Sequence, residues 1–419
     1  MSINAKKPTE ETTLMLELLS AAMFNRQPIA LPKDAEQWDK VLDAAVDGAV
    51  SAVCYTPVSR LENADISPES LAALRADAVN TANNYYDCLY SQKKIISVLE
   101  KNGIDCAVWK GLSASALYPC PELRRLGDID ILVRPDDFDR AVKIFTDMGA
   151  VCPFSDAESS VSDIAMILSG TYFELHRFFT DDCLLGEEFY ISALDNAREI
   201  ELEGFRFKAL SEPYNAYSML LHMRHHFIGT GFGLRQLADY ALVLSRLSGS
   251  ELSELSSLAE KAGMTDFLRC VAKTCVLCLG ADEKAAQVLS AQDFPEDVCD
   301  AFLCDIIDGG TWGQLDPDRE NAVHFRNGGG AAKSLLKSLG ASARRQYPAC
   351  REHKILLPFC CVAAGFGAVK NRVTGKRSRF DVGKAKKSYD ERAALFREMG
   401  INAEEIAGAH IERLKGSRG

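Results

Sequence analysis

Two aspartates stand one residue apart in an otherwise apolar stretch, LGDIDILVR, at residues 126–134. In a β-strand, residues i and i+2 project from the same face, so Asp128 and Asp130 would lie side by side. Adjacent carboxylates repel each other unless a cation neutralises them, and Mg²⁺ prefers oxygen ligands that it shares with substrate phosphates. The pair therefore indicates a divalent-metal site. The alternative is a strand end at which Asp128 caps a turn and Asp130 pairs with an arginine.

A third carboxylate, Glu174, stands in a second strand-like segment, TYFELHRFF. Three carboxylates around Mg²⁺ (or Mn²⁺) ions form the kind of site that activates an attacking oxygen and stabilises a leaving oxygen in phosphoryl or nucleotidyl transfer. His176 lies two residues after Glu174, so the two side chains should share a strand face. His176 would orient the carboxylate or contact substrate, or it is a hydrogen-bonded structural histidine.

Basic residues precede the acidic pair in the chain. Lys110 ends the segment IDCAVWK, where it would contact phosphate as a point charge or face solvent at a strand end. Arg124 and Arg125 come shortly before Asp128, and an arginine there pairs with phosphate or with Asp128 itself. These cations would form the positive side of a phosphate site.

The segment HMRHHF places His222, His225 and His226 on about one turn of a helix. This spacing suits a transition metal, but no acidic or cysteine partner is evident nearby, so lining of a substrate cleft is favoured, with His225 as the candidate. Arg235 is a further cleft candidate. Its spacing from Asp239, at i and i+4, also fits an ion pair on a helix surface.

The secondary structure that must position these residues changes along the chain, from helices alone to alternating strands and helices. Apolar residues at helical spacing cover residues 9–100, where Ser67 is a candidate N-cap and Pro68 stands at the first helical position. Gly103 is a candidate for the residue after a helix end. From Ile104, short apolar segments alternate with helical ones. Their order, strand, helix, strand, helix, strand, predicts a compact α/β unit.

Helical spacing returns after this unit, and a glycine-rich stretch follows the helices. The predicted divisions are an N-terminal helical region, the α/β core, a helical domain, a Gly-rich linker and a basic C-terminal helical segment. In that order they cover residues 1–103, 104–210, 211–308, 309–330 and 331–419.

Charge is distributed unevenly along the chain. The net charge of the whole chain is −11, whereas residues 331–419 carry 19 Lys and Arg against 8 Asp and Glu. Such a segment would bind an anion such as nucleic acid or dock on the acidic remainder of the protein, and a docked structural tail is favoured. The apolar run at residues 355–369 contains Pro358 and is shorter than the ~20 residues of a membrane-spanning helix, so no transmembrane segment is expected.

The 14 cysteines are scattered, and the N-terminal residues MSINAKKPTEETT lack the apolar region of a secretory signal. Together these features predict reduced thiols and a cytoplasmic location. Cys270, Cys275 and Cys278 lie in a segment that is apolar at helical spacing and has no second CxxC. Buried thiols are therefore favoured over a zinc site, which needs four ligands.

The segment VWKGLSASALYPCPELRRLGDIDILV, with FELHR downstream, resembles the nucleotidyltransferase superfamily that includes DNA polymerase β-like enzymes. More narrowly, it is similar to a bacterial family of largely uncharacterised nucleotidyltransferases with a Lys-Gly turn, an arginine shortly before Asp-x-Asp and a Glu-Leu-His strand. The resemblance extends over about residues 10–400, including LRQLADYALVL, Tyr347-Pro348 and Leu356–Pro358. It implies an α+β fold in which a small mixed β-sheet, the palm-like nucleotidyltransferase core, is flanked by N-terminal and C-terminal helical regions.

The resemblance also implies a reaction. Asp128, Asp130 and Glu174 would bind Mg²⁺ (or Mn²⁺), and Glu174 would help to activate an acceptor hydroxyl. A nucleoside monophosphate would pass from an NTP, expected to be ATP, to that hydroxyl, and pyrophosphate would leave. The motif does not identify the acceptor, which is a small molecule, a protein or an RNA. The alternative is a nucleotide-binding or scaffold protein on the same fold with little or no turnover.

The resemblance places the turn at Gly111 against the triphosphate. It implies phosphate-binding candidates around this turn and before the acidic pair: Lys110, Gly111, Ser113, Arg124 and Arg125. The usual turn of the superfamily is Gly-Ser, whereas this chain has Lys110-Gly111. This departure argues for the alternative without turnover, and the complete carboxylate set argues against it.

Overall fold

The computed structural model describes residues 6–153, 162–180, 184–311, 314–316, 319, 360–361 and 382–402. Fourteen α-helices lie in this part of the chain: α1 Glu10–Met23, α2 Ala35–Asp47, α3 Ser51–Val58, α4 Pro68–Lys101, α5 Gly111–Ser115, α6 Phe138–Asp147, α7 Glu187–Asp195, α8 Tyr214–Ile228, α9 Leu234–Arg246, α10 Gly249–Lys261, α11 Thr265–Leu279, α12 Glu283–Val288, α13 Glu296–Gly309 and α14 Val382–Glu398. Six strands accompany them: β1 Cys106–Val108, β2 Ile129–Val133, β3 Asp163–Leu168, β4 Thr171–His176, β5 Arg198–Leu202 and β6 Phe205–Ala209.

The six strands form one mixed sheet in the order β3-β4-β2-β1-β6-β5. At its centre, β2 pairs antiparallel with β1 and parallel with β4. Every residue of β2 is buried, as expected for a central strand covered on both faces, which explains the apolar run around Asp130. The sheet and its flanking helices confirm the predicted α+β class.

Three of the six strands, β1, β2 and β4, correspond to predicted strands. The other three belong to two antiparallel hairpins, β3–β4 and β5–β6. Their turns are the pairs Ser169-Gly170 and Glu203-Gly204, and all four residues have positive φ. Positive φ at both central positions is the type I′ geometry that closes two-residue hairpins, and glycine adopts it most easily at the second position.

The long helix α4 begins as predicted. The Ser67 side chain accepts a hydrogen bond from the backbone N–H of Ser70, and Pro68 occupies the first turn. Gly103 follows the helix with a φ of +66°, which is the left-handed conformation expected after a helix end. These local signals fix the helix that covers one face of the sheet.

Within the part of the chain that the structure describes, two clusters of buried apolar side chains form the core. The larger one joins α1 to α3 with the helices from α7 onward, and the smaller one lies around the sheet. In α11, Cys270 and Cys275 are buried as expected, whereas Cys278 is only partly buried. Within the described residues, no helix is both long enough and apolar enough to cross a membrane.

Some of the predictions fall on residues that the structure does not describe. Most of the predicted basic segment and of the linker lies outside the described residues. The same holds for all of Tyr347-Pro348 and Leu356–Pro358.

Candidate active site

A cleft of about 230 Å³ lies between the sheet and the two helices α8 and α9. The turn after β1, the start of β2 and the middle of β4 line its acidic side, with Lys110, Gly111, Gly127, Asp128, Asp130 and Glu174. The two helices line the opposite side, with Met219, His222, Met223, His226, Arg235, Gln236 and Asp239. Residues from distant parts of the sequence therefore meet around one opening.

Asp130 and Glu174 are directly paired in the register of the parallel strands β2 and β4. Paired residues of neighbouring strands project from the same face of a sheet, so both carboxylates point into the cleft. Asp128 stands just before β2, two residues from Asp130, and lines the same cleft. The prediction that the Glu174 strand lies beside the Asp-x-Asp strand, with Gly111 in the same cleft, is confirmed.

Asp130 is the most enclosed of the three carboxylates, with 6% of its surface exposed. Its Oδ1 lies 3.1 Å from Nζ of Lys110 and 3.0 Å from Nε2 of His176. Burial alone would raise the pKa of Asp130, but the Lys110 charge and the His176 hydrogen bond outweigh it and lower the pKa. Asp130 is thus ionised and held by two donors.

Asp128 is exposed at the mouth of the cleft. Desolvation by the surrounding protein raises the pKa of Asp128, and the nearby charges of Asp130 and Glu174 add to the shift. The hydroxyl of Tyr172 donates a hydrogen bond of 2.7 Å to Oε1 of Glu174. Because Asp128, Asp130 and Glu174 lie close together, their negative charges repel one another, and this repulsion favours a cation between them.

His176 lies behind the carboxylates rather than in the cleft lining. Its Nε2 is 3.0 Å from Asp130 and 3.5 Å from Oε2 of Glu174. Burial lowers its pKa, but hydrogen bonds to these two carboxylates raise the pKa to about 9. Nδ1 is buried and has no hydrogen-bond partner among the described residues. His176 is thus hydrogen-bonded to two carboxylates, which fits both the orienting role and the structural histidine considered for it.

Three of these side chains offer atoms for a metal ion. Within the described residues, the group of His, Cys, Asp and Glu side chains close enough for this purpose is Asp130, Glu174 and His176, whose ligand atoms lie within 4.8 Å of one another. The sequence predicted Asp128 in this place and His176 only as a neighbour. The two carboxylates suit hard cations such as Mg²⁺ and Mn²⁺, whereas an imidazole is typical of sites for softer transition metals such as Zn²⁺.

Lys110 points into the cleft, so the interpretation as a solvent-facing lysine is wrong. Its Nζ lies 3.1 Å from Nε2 of His222 and 3.8 Å from the centre of the Trp109 ring. The Trp109 indole N–H donates to Oγ of Ser218 on α8 at 2.9 Å. The β1 end and α8 are thereby fixed against each other around the lysine.

His222 and His226, rather than His225, line the cleft, because positions i and i+4 share one helix face. Their Nε2 atoms lie 2.8 Å apart. Burial, followed by nearby positive charge, lowers the pKa of His222 well below its usual value and that of His226 to about 3. Both rings are therefore neutral.

Arg124 lines the cleft, and its guanidinium pairs with Asp239 rather than with Asp128. Its Nε and Nη2 donate to the two carboxylate oxygens of Asp239 at 2.7 and 2.6 Å, and Nη1 donates to the carbonyl of Gly111 at 3.1 Å. The Tyr118 hydroxyl also donates to Asp239 at 2.8 Å. Arg124 thus ties the Gly111 turn to α9, and the surface ion pair expected between Arg235 and Asp239 is replaced by this buried one.

The remaining candidates are divided between the cleft and its surroundings. Arg235 lines the cleft and donates to the carbonyl of Arg125, and burial lowers its pKa to about 10. The Arg125 side chain pairs with Asp77 on α4, outside the cleft. The hydroxyl of Ser113 donates to the Lys110 carbonyl at 2.7 Å and is not part of the lining. Ser113, Arg125 and His225 therefore lie outside the cleft.

Residues 34–280, more than half of the chain, match the sequence model of a protein family. That family is described as "uncharacterised nucleotidyltransferase". The chain belongs to this nucleotidyltransferase family. No match was found among curated proteins. The family match runs from the start of α2 to the end of α11, so it includes the whole sheet and every residue that lines the cleft. It is shorter than the resemblance over residues 10–400.

Proposed function

We propose that the protein transfers a nucleoside monophosphate from an NTP, which we take to be ATP, to an acceptor hydroxyl. The observation that carries the proposal is the meeting of Asp128, Asp130 and Glu174 with the Lys110-Gly111 turn in one cleft. Membership of a nucleotidyltransferase family supports the class of reaction. The acceptor is a small molecule, a protein or an RNA.

The carboxylates fit the divalent ions that such a reaction uses. Asp128, Asp130 and Glu174 would hold Mg²⁺ (or Mn²⁺), because crowded carboxylates supply hard oxygen ligands and the charge repulsion that a cation relieves. Bound ions would neutralise charge on the phosphates and lower the pKa of the attacking oxygen.

The protein groups would position the reactants and move one proton. Glu174 would accept the proton of the acceptor hydroxyl, with Tyr172 fixing one of its oxygens. The acceptor oxygen would form a bond to the α-phosphorus, and the bond from that phosphorus to the bridging oxygen of pyrophosphate would break. His176 would keep Asp130 and Glu174 in place, and Lys110 would lie near the phosphates.

Neutralising the paired acids tests the site. In Asp128→Asn combined with Asp130→Asn, calorimetry should show no Mg²⁺-dependent binding of ATP, while circular dichroism shows a folded protein. The matched control is Glu199→Gln with Glu201→Gln, which removes two exposed carboxylates at the same i, i+2 spacing from β5. Affinity like that of the unmodified protein in the aspartate variant would refute the site.

Activity is tested separately from binding. The protein is incubated with Mg²⁺, NTPs labelled at the α-phosphate and a cell extract, and the labelled product identifies the acceptor class. The proposal expects label transfer that the aspartate variant lacks. Binding of ATP without transfer to any component would support the alternative of a nucleotide-binding protein with little or no turnover.

A further inference from the structure

The ammonium of Lys110 contacts the carboxylate of Asp130, one of the proposed metal ligands. Its Nζ lies 3.1 Å from Oδ1 of Asp130, and the two side chains are only 18% and 8% exposed. The ammonium also contacts His222 and the face of Trp109. The positive charge is therefore enclosed on several sides and directed at the most buried of the three carboxylates.

The backbone at Lys110 is unusual in a way that supports a built arrangement. Lys110 has a φ of +61° and a ψ of −144°, and the next residue, Gly111, has a φ of +46°. Residues other than glycine rarely adopt such backbone angles, and these angles persist only where the surrounding structure holds the backbone in place. Here that conformation turns the lysine side chain from the end of β1 into the cleft.

An ammonium and a divalent cation cannot both bind the same carboxylate oxygen closely, because like charges at such distances repel strongly. Lysine is a point charge on a flexible four-carbon stem, so its nitrogen can move several ångströms without any change in the backbone. A triphosphate entering the cleft would offer that nitrogen a new anionic partner. His222, being neutral, would not oppose either position of the charge.

Building on the proposed function, we propose that Lys110 is an internal counter-ion of the metal site: its ammonium neutralises Asp130 in the ligand-free protein, the metal ion displaces it, and the triphosphate receives it. Metal ion alone then binds weakly. Metal ion and nucleotide each strengthen the binding of the other, and thermodynamic linkage makes the two effects equal.

The test measures Mn²⁺ affinity by the electron paramagnetic resonance signal of free Mn²⁺, with and without adenosine 5′-(α,β-methylene)triphosphate, which cannot transfer its nucleotide. The variant is Lys110→Met. A nearby opposite charge shifts the proton affinity of a carboxylate by about 1–3 pKa units. We therefore expect the variant without nucleotide to bind Mn²⁺ at least about tenfold more tightly, since one unit is a factor of ten. The analogue should then increase Mn²⁺ affinity less than it does in the unmodified protein.

Lys208→Met is the matched control, because it removes a lysine from an exposed ion pair with Asp105, 2.7 Å long, outside the cleft. It should bind Mn²⁺ like the unmodified protein. Lys110→Gln keeps a polar group beside Asp130 and serves as the second variant if Lys110→Met unfolds.

The outcomes separate this inference from the proposed function. If the unmodified protein binds Mn²⁺ and the Lys110 variants bind it equally or more weakly, the counter-ion role is refuted and the proposed function stands. If neither the unmodified protein nor any variant binds Mn²⁺, with or without the analogue, the metal site itself is refuted. Tighter binding with an undiminished effect of the analogue would refute the transfer of the ammonium to the triphosphate.

Discussion

Replacing Arg124 by alanine should destabilise the protein far more than replacing its neighbour Arg125 by alanine. The Arg124 guanidinium makes three hydrogen bonds, two to Asp239 and one to the carbonyl of Gly111. The side chains of Arg124 and Asp239 are 5% and 3% exposed. Without Arg124, the Asp239 carboxylate stays buried with Tyr118 as its remaining described donor.

The size of the effect follows from burial. Removing one partner of a buried ion pair leaves an uncompensated charge and costs about 3–5 kcal/mol. Arg125 pairs with Asp77 through side chains that are 40% and 25% exposed. Such a pair is screened by solvent, and its loss costs ~0–1 kcal/mol. The two substitutions remove the same side chain from adjacent positions, so their difference reports the surroundings.

Urea denaturation followed by circular dichroism measures the free energy of unfolding of both variants. Arg124→Met combined with Asp239→Leu should recover most of the stability lost in Arg124→Ala, because it removes both charges and fills their volume. Equal stabilities of Arg124→Ala and Arg125→Ala would refute the argument from burial. A double variant as unstable as Arg124→Ala would show that the cost is not an unpaired charge.

Two further predictions concern Glu174 and Glu17. In Glu174→Gln, turnover measured by pyrophosphate release should fall by ~10²–10⁴-fold, as expected for loss of a general base, while NTP binding weakens less; full activity would remove Glu174 from the reaction. A hydrogen bond from Arg26 lowers the pKa of Glu17 below 4.5, so its stabilisation is present above that pH and is lost as the pH falls through the folded-state pKa. The difference in thermal midpoint between the unmodified protein and Glu17→Gln should therefore shrink from pH 7 to pH 3, and a constant difference would contradict this assignment.

Local signals predicted the parts of the fold that local physics determines. The start of α4 at Ser67 and Pro68 depends on side-chain capping and on the fixed φ of proline, both of which can be seen in the sequence. The hairpins β3–β4 and β5–β6 were missed, although Ser169-Gly170 and Glu203-Gly204 are turn signals. In β5 and β6 polar and apolar residues mix, and β5 exposes most of its side chains, so that hairpin lacks the apolar run of a buried strand. The segment DIAMIL of β3 does contain such an apolar run, so its sequence carried the signal of a strand.

In the candidate site, too, some features were predictable from local sequence rules and others depend on tertiary packing. The facing of Asp130 and Glu174 was predictable, because strand periodicity fixes which residues share a face. The partner of Arg124 was not, because Asp239 lies 115 residues further along the chain and its nearer i, i+4 neighbour, Arg235, offered a plausible local pair. The choice of His222 and His226 over His225 depends on which face α8 turns to the sheet, and only tertiary packing decides that.

Helix α4 has 34 residues, so it is about 50 Å long at the α-helical rise. The first part of α4 contributes Leu74 to the larger apolar cluster. The last part contributes five buried side chains to the cluster around the sheet: Tyr85, Leu89, Ile95, Ile96 and Leu99. A recombinant fragment that began at residue 104 would retain every carboxylate of the cleft. It would, however, expose to solvent the face of the sheet that α4 covers. Such a fragment should aggregate on expression, because it exposes the apolar side chains of the sheet that α4 covers in the whole protein.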